Sequence, residues 1–344
     1  MHVMRSRIPI PILRNRIAYP KYSTTQSPGI VSADVAQYTV PATCYQSEDF
    51  LKIEREQVIN KSWLLLGHSH TLLPTIGSYC EMTVNNESVM IVRNENSYNA
   101  YYNVCPHRAH ELVKPQSKGQ LRSKVLTCPN HGWSFRASDG TLIKARHSED
   151  AVDFCSGHFN LTAIGVKSMS GLLFVNMSVN PTDTSTNTNT NQLIHPTPQS
   201  FFGEHLEPKL NQFIPGINTP NMERLAVKEA VINANWKVLM DNFLECYHCD
   251  VAHKDFVDMV DMDTYRTKLH EHYIIFNSKC HPENKAYCFK PTDPIQDMFF
   301  CWLWPYSVVY SAPGSPNLSI LQFIPLTATT TLRRSERFAI LDTT

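Results

Sequence analysis

CPHRAHEL, which begins at Cys105, and CPNHGWSF, which begins at Cys128, are the two stretches that determine how the first half of this chain folds. The first contains the pattern Cys-x-His and the second contains Cys-x-x-His. Twenty residues separate His107 from Cys128, so two loops are expected to meet at one place. Thiolates and imidazoles are metal ligands, and the pattern therefore predicts a metal site formed by Cys105, His107, Cys128 and His131.

The order of the four ligands distinguishes between two kinds of metal site. A Rieske [2Fe-2S] centre takes two thiolates on one iron and two imidazoles on the other, which fits one cysteine and one histidine in each loop. Structural zinc also binds two cysteines and two histidines, but its usual spacing pairs cysteine with cysteine and histidine with histidine. The sequence therefore predicts a [2Fe-2S] cluster, with zinc as the alternative.

The two stretches resemble the cluster loops of the Rieske non-haem iron oxygenases. In that resemblance Cys105, His107, Cys128 and His131 match the positions of the cluster ligands. The segment between the loops is a little longer than the family pattern, which indicates a small surface insertion. The resemblance implies a cluster domain followed by a catalytic domain that holds mononuclear iron.

A second motif lies about a hundred residues further on, in NWKVLMDNFLECYHCDVAH, residues 235–253. Two imidazoles and a carboxylate suit ferrous iron and leave coordination positions open for oxygen and substrate. His248 and His253 would lie about 140° apart on an ideal helix, so we expect the helix to bend, to contain a π-bulge or to end between them. Glu245 and His248 are three residues apart and would share a helix face.

The segment resembles the mononuclear-iron helix of the same family. By that resemblance His248 and His253 bind the iron, and Glu245 bridges His248 to His131 of the partner subunit. Electrons would then cross between subunits, which implies a head-to-tail assembly, most simply a homotrimer. An alternative interpretation of Cys246, His248, Cys249 and His253 is a zinc knuckle, or a C-x-x-C redox pair.

Two short strings point to a substrate class. In this family ECYHC with glutamate resembles the branch that acts on quaternary ammonium compounds, notably carnitine monooxygenases, and DMDTY, residues 261–265, resembles choline monooxygenases. We predict a monooxygenase that oxidises choline towards betaine aldehyde, for glycine betaine synthesis, with carnitine and glycine betaine as alternatives. The resemblance implies O2 and an NAD(P)H-dependent reductase or ferredoxin as electron donor.

A quaternary ammonium ion has charge but no N–H group, so proteins select it with aromatic faces. Four aromatic residues follow one another at alternate positions in a strand-like stretch, which would direct them to one face. We predict a cation cage from them, and packing of the sheet is the alternative. The four residues are Trp302, Trp304, Tyr306 and Tyr310.

Composition excludes several classes of protein. Lys plus Arg and Asp plus Glu both number 31, so the net charge is zero and no nucleic-acid partner is indicated. No apolar run approaches the roughly eighteen residues of a membrane span. Ten cysteines in a chain of this length fit a reducing compartment better than a disulfide framework.

The N-terminal 33 residues are basic. They contain four arginines and a lysine, and the first acidic residue is Asp34. This predicts a mitochondrial transit peptide. Three prolines interrupt any long helix there, so a cytoplasmic basic tail is an alternative, and a plastid location is another.

The sequence predicts an α+β fold in two domains. Residues 42–178 would contain the all-β cluster domain, with its core over 65–178, and residues 200–344 would form a mixed α+β catalytic domain. The polar stretch 180–195 is a predicted linker, because it cannot bury a core. Between strands, Asn85-Asn86 predicts a hairpin turn.

The third iron ligand is unassigned. In the family it is an aspartate on a helix beyond the last sheet strands, and here Asp342 is the late aspartate but has no helical context. The catalytic domain is therefore predicted to be partial. A chain without that carboxylate could instead be a cluster protein that only carries electrons, which is a second functional hypothesis.

Overall fold

The structure, a computed structural model, describes residues 40–148, 154–179, 201–202 and 205–340. The predicted transit peptide, the linker 180–195 and Asp342 lie outside the described residues. The described residues from Pro41 onwards form one compact unit. No helix in the described ranges is long and apolar enough to cross a membrane.

Two short helices open the described part, α1 (Thr43–Gln46) and α2 (Glu48–Gln57). The Oγ of Ser47 accepts a hydrogen bond from the Phe50 N–H at 3.2 Å, which satisfies a free donor at the start of α2. Glu48 and Asp49 add negative charge to the first turn. Ser47 is therefore the N-cap of α2.

The cluster domain is built almost entirely from strands. They are β1 (Leu64–His68), β2 (Ser78–Val84), β3 (Glu87–Arg93), β4 (Tyr98–Tyr102), β5 (Lys118–Gln120), β6 (Val125–Thr127), β7 (Ser134–Arg136), β8 (Leu142–Lys144), β9 (Ala163–Met169) and β10 (Leu172–Asn176). One sheet has the order β1-β10-β9-β4-β3-β2-β5, and a smaller sheet has the order β6-β7-β8. A one-turn helix, α3 (Ser69–Leu72), follows β1.

The predicted hairpin is present. Asn85 and Asn86 both have positive φ, 45° and 70°, between β2 and β3. This is the backbone of a tight hairpin turn whose twist matches that of the strands, and asparagine tolerates it better than most residues. The register then pairs Tyr79 with Val92 along one continuous ladder.

The second half holds the catalytic domain. Its elements are α4 (Leu206–Phe213), β11 (Met222–Ile232), α5 (Trp236–Phe243), α6 (Cys249–Ala252), α7 (Lys254–Met259), β12 (Arg266–Leu269), β13 (Tyr273–Lys279), β14 (Asp297–Leu303), β15 (Ser307–Ser311), β16 (Asn317–Thr327) and β17 (Thr330–Ile340). They include a seven-stranded antiparallel sheet with the order β11-β17-β16-β15-β14-β13-β12. The predicted α+β class is confirmed.

One hydrophobic core joins the two domains. Leu64 and Ile91 of the first sheet belong to the same buried cluster as Trp236 of α5 and Val308 of β15. The Nε2 of Gln322 also donates a buried 2.7 Å hydrogen bond to the carbonyl of Leu65. The cluster domain and the helix that precedes the iron motif therefore share one packed interior.

The stretch from Met298 to Leu326 differs from the single strand that was predicted to carry the four aromatic residues. It forms three, because the chain turns at Trp304-Pro305-Tyr306 between β14 and β15 before it turns again at residues 312–316. Pro305 has no backbone N–H, so it suits the turn rather than the middle of a paired strand. The first of these turns was not predicted from the sequence, because the residues on both sides of it are apolar and typical of a strand.

Candidate metal centres

The first cluster loop leaves β4 and is closed by a buried asparagine. The Nδ2 of Asn103 donates to the Val113 carbonyl at 2.8 Å, and its Oδ1 accepts from the N–H groups of Leu112 and Val113 at 3.0 Å. Within this closure the Cys105 N–H donates to the His110 carbonyl at 2.8 Å. Asn103 therefore fixes both ends of the loop. This role of Asn103 was not predicted from the sequence, although a polar residue between a strand and a predicted ligand was the available signal.

The second cluster loop is a tight reversal between β6 and β7. The Cys128 N–H donates to the Trp133 carbonyl at 2.8 Å, and the Gly132 N–H donates to the Cys128 carbonyl at 3.0 Å. Gly132 has a φ of +74°, a conformation that residues with a Cβ rarely adopt. The glycine after His131 thus allows the chain to turn back immediately behind the predicted ligand.

The two loops bring their histidines together. The ring centroids of His107 and His131 are 4.7 Å apart, and the indole of Trp133 stacks on His107 at 4.6 Å. Cys105 and Cys128 are buried, whereas His131 is exposed to solvent. All four predicted cluster residues therefore converge on one place in the structure.

The chemical state of these groups fits a metal cluster. Burial raises the pKa of the Cys105 thiol to about 11, and burial also lowers the pKa of His107, which keeps its imidazole neutral. The Nδ1 of His107 is buried without a hydrogen-bond partner. A buried lone pair without a partner is costly, and a bound iron would satisfy it and draw the protons from both thiols.

The second motif starts with three residues that attach α5 to the rest of the chain. The Oδ1 of Asn235 accepts from the Lys237 N–H at 2.9 Å, which caps α5, and its Nδ2 donates to the Ala328 carbonyl at 2.7 Å. Trp236 is buried, and Lys237 pairs with Glu54 of α2 at 2.7 Å. The motif NWK is thus an anchor for the helix that leads to the iron residues.

The two predicted iron histidines do not lie on one continuous helix: His248 precedes the short helix α6 and His253 follows it. α5 stops at Phe243, residues 244–248 form a turn, and α6 ends at Ala252. His253 has a φ of −128° and separates α6 from α7. The interruption brings the rings of His248 and His253 to a centroid distance of 4.9 Å.

Glu245 contacts His248 directly. Its Oε1 is hydrogen-bonded to the His248 Nδ1, and its Oε2 accepts from the Tyr247 N–H. The hydrogen bond from His248 is the main reason why the pKa of Glu245 lies below its usual value. A proton held on Nδ1 leaves Nε2 as the ring atom with a free lone pair for a metal. The contact forms in the turn, and not on a helix face as predicted.

A cavity of about 640 Å³ contains both histidines and Glu245. Five aromatic side chains also border it: Phe243, Phe256, Tyr265, Phe276 and Phe300. Burial raises the pKa of Tyr265 to about 12, so its phenol is a neutral donor. Lys254 and Asp255 supply charge at the cavity wall.

The predicted cage of Trp302, Trp304, Tyr306 and Tyr310 requires a correction. These residues do not share one strand, because the turn at residues 304–306 separates Trp302 from Tyr310. Trp302 and Tyr306 are buried in the core, where Tyr306 meets Trp236 edge-to-face at 6.4 Å. The ring of Tyr310 packs on that of Phe300 at a centroid distance of 5.3 Å. Tyr310 therefore contacts a residue of the cavity wall. Among the described residues, the aromatic side chains that line the cavity are Phe243, Phe256, Tyr265, Phe276 and Phe300.

The zinc-knuckle alternative is not supported by the structure. Cys246 and Cys249 form a disulfide with each other, so neither offers a thiolate to a metal. In the ranges that the structure describes, no three His, Cys, Asp or Glu side chains surround a single metal position. A two-iron cluster needs only two protein ligands on each iron. At the iron site, His248 and His253 are the histidines present, and the third ligand stays unassigned.

Two family models match the chain. The Rieske [2Fe-2S] domain matches residues 62–158, and the ring hydroxylating alpha subunit (catalytic domain) matches residues 220–339. The first range contains both cluster loops and the second contains the iron motif. These families hold a [2Fe-2S] cluster and a mononuclear iron, so the predicted cofactors are confirmed.

Similar proteins act on quaternary ammonium compounds. The carnitine monooxygenase oxygenase subunit of Acinetobacter baumannii is 32% identical over 301 residues, which cover 87% of this chain and 75% of that protein. The glycine betaine monooxygenase oxygenase subunit of Pseudomonas aeruginosa is 28% identical over 222 residues, covering 63% of this chain and 45% of that protein. The chloroplastic choline monooxygenase of Amaranthus tricolor is 27% identical over 241 residues, covering 69% and 50%.

A solved structure has the same fold. It is that of a quaternary ammonium Rieske monooxygenase, described for carnitine oxidation and inter-subunit electron transfer. It superposes with a TM-score of 0.69 at 28% sequence identity, and the match covers 88% of this chain and 76% of that one. The order of a cluster domain followed by a catalytic domain is therefore common to both.

Proposed function

Because this chain belongs to the Rieske non-haem iron oxygenases, in the branch of quaternary ammonium monooxygenases, we propose that its substrate is carnitine or a similar trimethylammonium carboxylate. The observation that carries this proposal is the 32% identity to a carnitine monooxygenase subunit along 87% of the chain. The choline monooxygenase relative matches at 27% identity over 69%. Choline, expected from residues 261–265, is thus the second candidate.

The cavity chemistry supports a substrate that carries both charges. Aromatic faces attract a trimethylammonium group, and Phe243 approaches Phe276 and Phe300 edge-to-face at centroid distances of 6.3 and 6.0 Å. The carboxylates of Glu245 and Asp255 add negative potential. Lys254 borders the same space and offers an ammonium group to a substrate carboxylate. Choline has no carboxylate for that lysine.

The proposed reaction balances as a monooxygenation. One oxygen atom of O2 enters a C–H bond of the substrate and the other leaves as water, with two electrons and two protons supplied from outside. When bound, the two metal centres supply one-electron transfer and oxygen activation. Hydroxylation of the carbon next to nitrogen yields a product whose C–N bond then breaks, which releases an amine.

The residues of this chain have defined tasks in that scheme. Cys105, His107, Cys128 and His131 hold the cluster, and His248 and His253 hold the iron. Glu245 orients His248 through its Nδ1, and it accepts a further hydrogen bond from exposed His131 of the partner subunit. The aromatic wall holds the cation and excludes water from the reacting carbon.

A head-to-tail homotrimer is the proposed assembly, with an NAD(P)H-dependent reductase or a ferredoxin as donor. The surface around Glu245 supports a docking role, because Tyr247 and Val251 have 88% and 80% of their surface exposed. Large apolar groups at such exposure are typical of interfaces. The mitochondrial location stays a prediction that rests on residues 1–33.

The first test is the metal content and substrate preference of the purified chain. About three irons and two acid-labile sulfides per chain are expected for an oxygenase, against about two of each for a protein that only carries electrons. O2 uptake and amine release are then measured with carnitine, glycine betaine and choline, using one reductase. Faster turnover of choline than of carnitine would overturn the carnitine proposal, and absence of uptake with all three would favour the electron carrier.

The role of Lys254 is tested with Lys254→Gln. We expect the KM for carnitine to rise by about tenfold, because a charged hydrogen bond is lost, while the KM for choline changes little. Lys268→Gln removes an exposed lysine of β12 and is the matched control. An equal rise of both KM values would show that Lys254 does not bind the substrate carboxylate.

A further inference from the structure

Cys246 and Cys249 are the bonded pair among the ten cysteines, all of which are described. The other eight are free, and two of these, Cys155 and Cys288, are exposed. Free exposed thiols fit a reducing compartment, where a disulfide persists only when it has a redox or catalytic role. The bond between Cys246 and Cys249 is therefore unexpected as a structural cross-link.

The disulfide encloses the contact on which the proposed electron path depends. Cys246 follows Glu245 in the chain, and Cys249 follows His248. The bond links the turn that presents Glu245 to the first residue of α6, across Cα atoms 5.1 Å apart. The backbone contact within this loop is one 3.2 Å hydrogen bond from the Cys249 N–H to the Cys246 carbonyl.

The surroundings allow a reagent to reach the sulfur atoms. Both cysteines border the 640 Å³ cavity, and Cys246 is half-buried while Cys249 is buried. Tyr247 between them has 88% of its surface exposed, so the loop has little packing to hold it in place. A short loop with sparse contacts can open when its cross-link is cut.

We propose that Cys246 and Cys249 form a reversible thiol–disulfide couple that controls the Glu245–His248 contact, and through it the delivery of electrons to the iron site. The second half of this proposal rests on the proposed function. The reagent is a dithiol reductant or glutathione. The S–S bond breaks, each cysteine sulfur gains one electron and one proton, and two thiols of the reductant join in a new disulfide.

The oxidised couple is the active state in this proposal. The cross-link fixes the turn, so Glu245 stays on the Nδ1 of His248. Reduction frees the turn and lowers the fraction of molecules in which the carboxylate is correctly placed. Because an electron bridge depends on geometry, we expect reduction to slow electron transfer by about tenfold without loss of iron.

The first experiment needs no iron, oxygen or substrate. The full chain is equilibrated in glutathione buffers of increasing disulfide fraction, labelled with an alkylating reagent and digested for mass spectrometry. Cys246 and Cys249 should become protected together as an internal disulfide that carries no glutathione, and both should recover on addition of dithiothreitol. Exposed Cys288 should carry either the label or a glutathione adduct. Equal labelling of all three cysteines in every buffer would overturn the couple, whatever the chain's activity.

The second experiment measures control of electron transfer. Holoprotein with both metal centres loaded and the cluster pre-reduced is mixed with O2 and carnitine. Cluster re-oxidation is followed optically, and metal analysis before and after the reaction reports the bound iron. The cluster should re-oxidise about tenfold faster in protein with the disulfide formed than in protein with the two thiols reduced. Cys246→Ser and Cys249→Ser should react at one rate before and after reductant, whereas Cys288→Ser should keep the full response.

These outcomes separate the two proposals. A reversible couple with equal cluster re-oxidation rates in both states would overturn the control of electron transfer. If no turnover occurs in either state while the thiol chemistry is reversible, the proposed function fails and the couple stands. Loss of iron on reduction, measured by metal analysis of the desalted protein, would also overturn the proposal, because it requires the iron to stay bound.

Discussion

The cluster loops and the iron segment solve the same problem, holding metal ligands, in opposite ways. Each cluster loop leaves one strand, turns back and enters the next strand, and backbone hydrogen bonds within the loop stabilise the turn. Cys105 and Cys128 are buried. The iron segment is a turn and two short helices at the surface, where Tyr247 is 88% exposed. The first site is built locally, and the second takes its walls from distant strands.

The cluster loops are more strongly pre-organised by packing than the iron segment is. The ring of His107 stacks on Trp133 and meets the ring of His131 edge-to-face. At the iron site Glu245 and His248 contact each other within a short turn, and Phe276 and Phe300 approach from another sheet. We therefore expect the cluster to assemble independently of the iron site, and the iron site to be the more sensitive to its surroundings.

The largest expected effect is the loss of the cluster. Cys128→Ser removes a buried thiolate and should eliminate the Rieske absorption and EPR signals, with turnover reduced by more than about a hundredfold. Cys155→Ser changes an exposed cysteine in the same domain and should keep the cluster. Retention of the cluster in the Cys128→Ser protein would break the distinction between the two sites.

The next effect tests the bridge. Glu245→Gln keeps the shape of the side chain but removes its charge, so we expect both metal centres to load while turnover falls by about two orders of magnitude. Metal analysis and steady-state O2 uptake measure the two quantities separately. Asp250→Asn alters an exposed acid on α6 and serves as the control. Normal turnover of the Gln variant would refute a bridging role.

A smaller effect distinguishes the cavity wall from the core aromatics. Phe300→Leu should raise the KM for the trimethylammonium substrate by about tenfold, because an aromatic face is lost next to the cation. Tyr306→Phe changes a buried residue of the originally predicted cage and should leave KM unchanged, whatever it does to stability. If the Tyr306 variant raises KM and the Phe300 variant does not, the assignment of the wall is wrong.

The smallest effect concerns the contact between the two domains. Burial lowers the pKa of His68, whose Nε2 is hydrogen-bonded to the Ile217 carbonyl at 2.7 Å, so the folded chain holds it neutral. The unfolded chain binds a proton more readily, and stability should therefore fall as pH drops below 6.5. Thermal unfolding at several pH values should show a smaller decline for His68→Gln than for wild type. His158→Gln, an exposed control, should follow wild type.

Much of the cluster site could be predicted from sequence. Its four residues lie in two short strings with a distinctive spacing, so local pattern was sufficient to bring them together. The cavity could not be predicted in this way. Phe243 and Phe300 are more than fifty residues apart, and the signal for Trp302 and Tyr306 was an apparent alternation that Pro305 interrupts.

The family, the two cofactors and the order of the domains were predictable from the amino-acid sequence alone, which also supplied the candidate metal ligands. These depend on ligand chemistry and on spacing within short segments, which survive without knowledge of the fold. Three features became visible only in the folded chain: which aromatics line the cavity, that α6 separates His248 from His253, and that Cys246 is bonded to Cys249. Those features depend on how remote strands pack and where a chain turns, which local pattern does not encode.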